Sequence, residues 1–258
     1  MLRSVFTKTL RDQRRSLLFW SLGFVAVILL YVAPYQTFAE QGILETRNSP
    51  IYETIGFDPS PAGYLRGTVF GLIGPLLLIM AATVYGGRAI AGDEEAGNLD
   101  LLLAHPLSRA RLVLERFAAL AAAVALLGLV IWAGTALATR FAEMGIALDR
   151  LAAAVLGLAL LALTFGAIAL AVGAATGRRG LVLAVTAALA VLSYVAFTFA
   201  PMVDALSFME PLSPFTWYLG EDPLRNGLDP TGTALLTAVP LVLLAIAVWS
   251  FDRRDVGV

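Results

Sequence analysis

The side chains of this chain that could do chemistry are concentrated in one stretch, Gly92–Arg116. There Asp93, Glu94, Glu95 and Asp100 are followed by Arg109, Arg111, Glu115 and Arg116. Catalysis is a poor fit for them. The chain has no cysteine, which removes disulfides, thiolate nucleophiles and Cys-based zinc or iron–sulfur sites. His105 is the only histidine, so bis-histidine haem ligation is excluded. It titrates in the physiological range, but no partner for it is identifiable, and beside Pro106 it is read as filling a break between two helices. Lys8, the only lysine, lacks the Gly-x-x-x-x-Gly-Lys-Ser/Thr context that puts a lysine on nucleotide phosphates. What remains is recognition: carboxylates, leucines and guanidinium groups offered to another surface.

The spacing predicts a short helix. Asp93 is placed to cap its start, with Glu94 and Glu95 in the first turn, where carboxylates satisfy free N–H groups and the positive dipole end. Glu95, Leu99, Leu102 and Leu103 fall on one face by the i, i+4, i+7, i+8 rule, flanked by Asn98 and Asp100. Gly97 weakens or bends the helix, and Pro106 stops it, since the residue before a proline avoids the helical region. Ser108 then reads as the N-cap of a following helix that carries Arg109, Arg111, Glu115 and Arg116 into an apolar stretch. A leucine edge on Glu94–Ala104 could meet the lipid interface or a groove on a soluble protein. The acidic first turn favours the groove, because interfacial helices usually carry basic faces.

The elements that must hold this segment are apolar. The chain of 258 residues is 59% hydrophobic and only 14% charged, against roughly 25% charged in a soluble domain. Its net charge of -1 gives no general attraction to nucleic acid. Ser16–Ala39, Gly67–Gly87, Phe117–Thr139, Leu151–Gly177, Gly180–Val203 and Pro230–Phe251 contain no charged side chain. Each is long enough to cross about 30 Å of hydrocarbon as a helix of about 20 residues. The expected spans are therefore 16–39, 65–90, 110–140, 150–177, 180–203 and 230–251, in an all-α polytopic membrane protein with a single transmembrane domain over 1–258. Arg178 and Arg179 alone separate the fourth and fifth spans, which makes a tight hairpin.

Basic residues set the orientation. Arg3, Lys8, Arg11, Arg14 and Arg15 precede the first span, Arg88, Arg109, Arg111 and Arg116 lie between the second and third, Arg178 and Arg179 in the hairpin, and Arg253 and Arg254 at the end. The opposite side has only Arg47, Arg66, Arg140, Arg150 and Arg225. Both termini and the Gly92–Arg116 segment are thus expected in the cytoplasm. The first apolar run exceeds the 7–15 residues of a signal peptide, so it reads as an uncleaved anchor. Before it, Leu2, Val5, Phe6, Thr9 and Leu10 recur at helical spacing. Residues 1–15 read either as an amphipathic helix on the inner leaflet or as a plain basic flank.

No Asp, Glu, Lys, Arg or His lies within the apolar runs. Charges there mark ion paths, proton relays and voltage sensors, so their absence disfavours a proton-coupled carrier, a pump or a voltage-gated channel. An intramembrane hydrolase, which needs a base-activated nucleophile, is disfavoured too. Gly67 and Gly71, and Gly173 and Gly177, have the four-residue spacing that permits close helix approach, a weak motif in so Ala- and Gly-rich a chain. Pro75 and Pro240 are expected to kink the second and sixth spans.

Glu94-Glu95-x-Gly97-Asn98-Leu99-Asp100-x-Leu102-Leu103-x-x-Pro106-Leu107-Ser108-Arg109 resembles the signature of the six-span permeases of the second exporter class of ATP-binding-cassette (ABC) transporters. That signature runs Glu-Glu-x-x-Gly-Thr-Leu-Glu-x-Leu-Leu, then Pro-x-Ser-Arg and a basic residue near the next span. Here Gly97 lies one place nearer the acidic pair, Asn98 stands where Thr is common, Asp100 replaces Glu, and Arg116 takes the place of a lysine. The resemblance implies that the segment is a coupling helix seated in a cleft of a separate ATPase subunit, with Asp93, Glu94, Glu95, Gly97, Leu99, Asp100, Leu102, Leu103, Pro106, Ser108 and Arg109 as its ATPase-coupling residues. It also implies two permease halves, identical or similar, with two ATPase subunits in a prokaryotic plasma membrane. ATP and magnesium would be held by the partner, with no cofactor on this chain. Short outward-side helices between the fifth and sixth spans belong to the same family pattern, and Pro201–Asp229 suits them, with Ser213-Pro214 as a helix start. Phe215, Trp217 and Tyr218 fit such helices or an ordinary aromatic belt equally. The rival readings are a secondary carrier or channel that needs no ATPase, and a structural membrane subunit of a larger assembly. The cargo is not legible beyond its compatibility with apolar spans.

Overall fold

The computed structural model describes residues 5–41, 58, 60–97 and 108–254. They form helices α1 (Val5–Val32), α2 (Tyr35–Glu40), α3 (Pro61–Glu95), α4 (Arg109–Phe141), α5 (Leu148–Thr176) and α6 (Arg179–Phe199). The short helices α7 (Pro214–Leu219) and α8 (Pro223–Asn226) follow, then α9 (Pro230–Arg253). The fold is all-helical, with no strand among the described residues. Among the described residues six helices are long and apolar enough to cross a membrane: α1 with α2, α3, α4, α5, α6 with the turn that follows it, and α9.

The fourth of these, α5, is the most buried and packs against α3, α4, α6 and α9. Small residues put it there. A Cβ on Gly86 of α3 would run into the backbone carbonyl of Gly166 on α5, so the two helices cross backbone to backbone. Without a hydrophobic drive between helices in lipid, such close van der Waals contact is what holds spans together. Gly67 makes no such contact within the chain, since a Cβ there meets nothing within 4 Å. Gly173 does lie at a seam, 3.6 Å by the same measure from Ala91 of α3 and from Val182 of α6. Gly177 instead ends α5 in the left-handed conformation at φ 66°.

Two other expectations change. The stretch 1–15 is, from Val5 onward, not a separate surface helix but the first turns of α1, which runs without a break into the first span. Val5 and Thr9 are buried there, and Glu115 of α4 accepts the Phe6 N–H at 3.1 Å. The first span is also interrupted before Ala39, by a turn at Ala33–Pro34. Pro75 sits at the start of the α-helical stretch Gly74–Gly87, just after π-helical turns over Arg66–Ile73. The proline thus lies inside the continuous helix α3, where π-helical turns give way to α-helical ones.

Short helices do connect α6 to α9. Ser213 caps α7 by accepting the Phe215 N–H at 3.2 Å, with Pro214 at the first helical position. Phe215 and Tyr218 are buried rather than arranged as a belt. Phe215 packs edge-on to Tyr194 at 5.3 Å, and the Tyr218 hydroxyl donates to the Phe70 carbonyl at 3.3 Å. On this distal side Arg66 at the start of α3 pairs with Asp222 at 3.2 Å.

Candidate functional site: a charged node at the terminal side

The ends of the spans on the side of both termini leave unpaired backbone groups, as every helix end does. Charged side chains from other elements take them up. A second π-helical turn, Arg88–Gly92, brings α3 to its last residues, Asp93, Glu94 and Glu95. These three consecutive acids reach three different places. Asp93 pairs with Arg116 of α4, and Glu94 pairs with Arg254 beyond the end of α9. Glu95 accepts the backbone N–H of Arg179 at 2.9 Å, which places a carboxylate on the N-terminus of α6.

The basic residues answer in kind. Arg254 Nη1 donates to the carbonyls of Gly173 at 3.4 Å and Ala174 at 3.1 Å, in the last turn of α5. Arg109 Nη1 donates to the carbonyl of Phe251 at 3.2 Å and to that of Arg254 at 2.5 Å, at the end of α9. Cations at helix C-termini complement both the free carbonyls and the dipole. Arg116 also donates to Thr9 Oγ1 at 2.9 Å, and Arg111 pairs with Glu115 one turn on at 2.8 Å. Ser108 caps α4 as its spacing predicts, accepting the Arg111 N–H at 3.2 Å.

The geometry corrects the reading of Asp93. It does not cap a new helix. Its backbone is helical, at φ -71° and ψ -32°, and continues α3. Glu94 and Glu95 are therefore the end of a span, and Gly97 at φ 67° turns the chain away from it. The reason lies in the partners: α4, α6 and the end of α9 supply guanidinium and N–H groups within reach, so the acids extend α3 instead of starting afresh. Of the predicted site residues, Asp93, Glu94, Glu95 and Arg109 converge at this node, while Gly97 turns the chain away from it and Ser108 caps α4. Leu99, Asp100, Leu102, Leu103 and Pro106, with Asn98 and His105, lie outside the described residues. Arg254, Arg179 and Gly177 were legible in the sequence only as basic or small residues on the expected cytoplasmic side.

A groove of about 380 Å³ runs between α3 and α6. Its walls include Leu72, Leu76, Met80, Ala190 and Tyr194, and Thr186 is its most buried hydroxyl. The lining is almost wholly apolar and so suits hydrophobic surface.

The sequence matches the profile of the ABC-2 family transporter protein over residues 3–256. The chain belongs to this family. It is accordingly a multi-pass membrane permease of the ABC transporter kind, a transport component whose family implies an ABC ATPase partner. No curated protein matches the sequence.

Proposed function

We propose that this ABC-2 permease is the membrane half of an ATP-driven exporter that moves a hydrophobic or amphipathic substrate out of a prokaryotic cell. The side carrying both termini faces the cytoplasm. The segment from Asp93 to Arg109 is the contact for a separate ATPase subunit, with Leu99, Leu102 and Leu103 as its apolar edge and Asp100 and Pro106 shaping it. Two permease halves and two ATPase subunits make the working unit, with ATP and magnesium on the ATPase.

One observation carries this reading: the segment begins and ends in residues that cap other spans. Glu94 and Glu95 on one flank, and Arg109 on the other, touch the ends of α5, α6 and α9 directly or through Arg254. A force applied between those flanks therefore acts on several spans at once. ATP binding can switch the spans only if the ATP-bound partner engages the two arrangements differently, and a contact anchored at both ends would carry that difference to the spans. The apolar groove between α3 and α6 fits the cargo class.

The test is isolation of the tagged chain from its native membranes, identification of the co-purifying P-loop ATPase, and measurement of ATP hydrolysis in the complex. Leu99→Asp, Leu102→Asp and Leu103→Asp together are expected to leave insertion intact and abolish transport-linked hydrolysis. Unchanged hydrolysis in that variant would remove the coupling role from the segment.

A further inference from the structure

Arg254 directly follows α9, and its guanidinium faces two ways. Nη1 is shared by the carbonyls of Gly173 and Ala174, where α5 ends, while Nη2 pairs with the carboxylate of Glu94, where α3 ends. Its own backbone carbonyl is held by Arg109 at the start of α4. The pair sits over Gly177, where a Cβ would come within 2.5 Å of both Arg254 Nη2 and Glu94 Oε2. Glu94 Oε2 is buried and has no hydrogen-bond partner among the described residues, while the two side chains as wholes are half-buried.

We propose that Arg254 is a positioning residue, which fixes the end of α3 to the ends of α5 and α9 so that displacement of the segment beginning at Glu94 reaches all three as one body. The proposal rests on the reading above that this segment meets the ATPase. Two physical points support it. In a half-buried pair desolvation and solvent screening together offset most of the attraction, so the charge pair by itself adds little net stability. What it does supply is geometry: an arginine fork has fixed donor directions, and here they point at two helix ends at once. Asp93 and Glu95 hold the end of α3 to α4 and α6. Among the described residues, the Glu94–Arg254 pair is the ionic tie from there to α5 and α9.

The experiment uses Arg254→Gln, Arg254→Lys, Glu94→Gln and the exchange Glu94→Arg with Arg254→Glu. Each is purified both alone and in complex with the ATPase that co-purifies with the wild-type chain. In the isolated permease, hydrogen exchange at the amides of Ala96, Gly97 and Gly177 reads the fixing itself. These amides donate to Gly92, Glu94 and Gly173 respectively. Arg254→Gln and Glu94→Gln are expected to accelerate exchange at all three, and the exchange pair to restore protection. In the complex, Arg254→Gln is expected to keep assembly while permease-dependent hydrolysis falls about tenfold, the scale of an ordinary coupling free energy. The exchange pair is expected to recover most of that loss, and Arg254→Lys, with its point charge, only part. Wild-type exchange in Arg254→Gln, or wild-type hydrolysis in a complex whose exchange is accelerated, overturns the proposal. A wild-type chain that binds no ATPase overturns the proposed function instead, and the amide exchange still decides the fixing.

Discussion

Arg109, the first residue of α4, holds Phe251 in the last turn of α9 twice over. Its Nη1 donates to the Phe251 carbonyl at 3.2 Å, and its guanidinium carbon stands 5.8 Å from the centre of the Phe251 ring. The third span thereby caps the sixth from a point 142 residues away in the chain. A cation at a helix C-terminus contributes about 1 kcal/mol in a half-buried setting, and the ring contact adds about 0.5–1 kcal/mol. Arg109→Ala is expected to lower the thermal midpoint of the purified permease by a few degrees. Arg109→Lys should recover the charge on the helix end and lose the planar contact, falling between the two. Equal midpoints for Ala and Lys would mean that the guanidinium plane, not the charge, does the holding.

Gly97 and Gly177 share a left-handed backbone, at φ 67° and φ 66°, but not a setting. A Cβ on Gly97 meets nothing within 4 Å, whereas one on Gly177 collides with Arg254 and Glu94. Gly97→Ala is therefore expected to cost only the backbone penalty, about 1–2 kcal/mol. Gly177→Ala should cost somewhat more, because the ends of those two flexible side chains must also move aside, and it should accelerate amide exchange at Ala96, as loss of Arg254 is expected to. Thermal unfolding of the two variants side by side checks the order.

The spans were legible because a run free of charge and long enough to cross hydrocarbon has few other solutions. Ser108 was legible for a local reason, since an N-cap depends on residues within one turn. The partners of the acidic triplet were not. Glu94 and Arg254 are separated by 160 positions, and no periodicity connects a residue at the end of one span to a residue beyond another. The same limit explains Asp93. Local pattern favours acids at helix starts, and what makes them a helix end here is the cations that the fold brings to them. Gly86 and Gly166 escaped notice because neither lies in a four-residue glycine repeat, although their helices cross there. Phe215 and Tyr218 fitted short helices and a belt equally in the sequence because their burial depends on α7 tucking back against α5 and α6.

Asp222, on the distal side, combines an unfavourable backbone with a favourable charge. Its φ of 47° is left-handed, a conformation that costs an ordinary residue about 1–2 kcal/mol and aspartate or asparagine less. Its Oδ2 lies 3.2 Å from Arg66 Nη1, and Arg66 Nη2 donates to the Leu219 carbonyl at 3.2 Å, which binds the start of α3 to the α7–α8 turn. Arg66 remains 37% exposed, so the ion pair itself contributes at most about 1 kcal/mol. Asp222→Asn keeps the tolerance for the turn and loses the charge. Asp222→Gly also loses the charge but relieves the backbone, and Asp222→Ala loses on both counts. The expected order of thermal midpoint is wild type, then Asn and Gly together, then Ala about 1 kcal/mol lower in stability. Raising the salt concentration should narrow the gap between wild type and Asn, because an exposed guanidinium is screened, and leave the gap between Asn and Ala unchanged. A gap between Asn and Ala that closed with salt would place the cost of Ala in lost electrostatics, not in the left-handed turn.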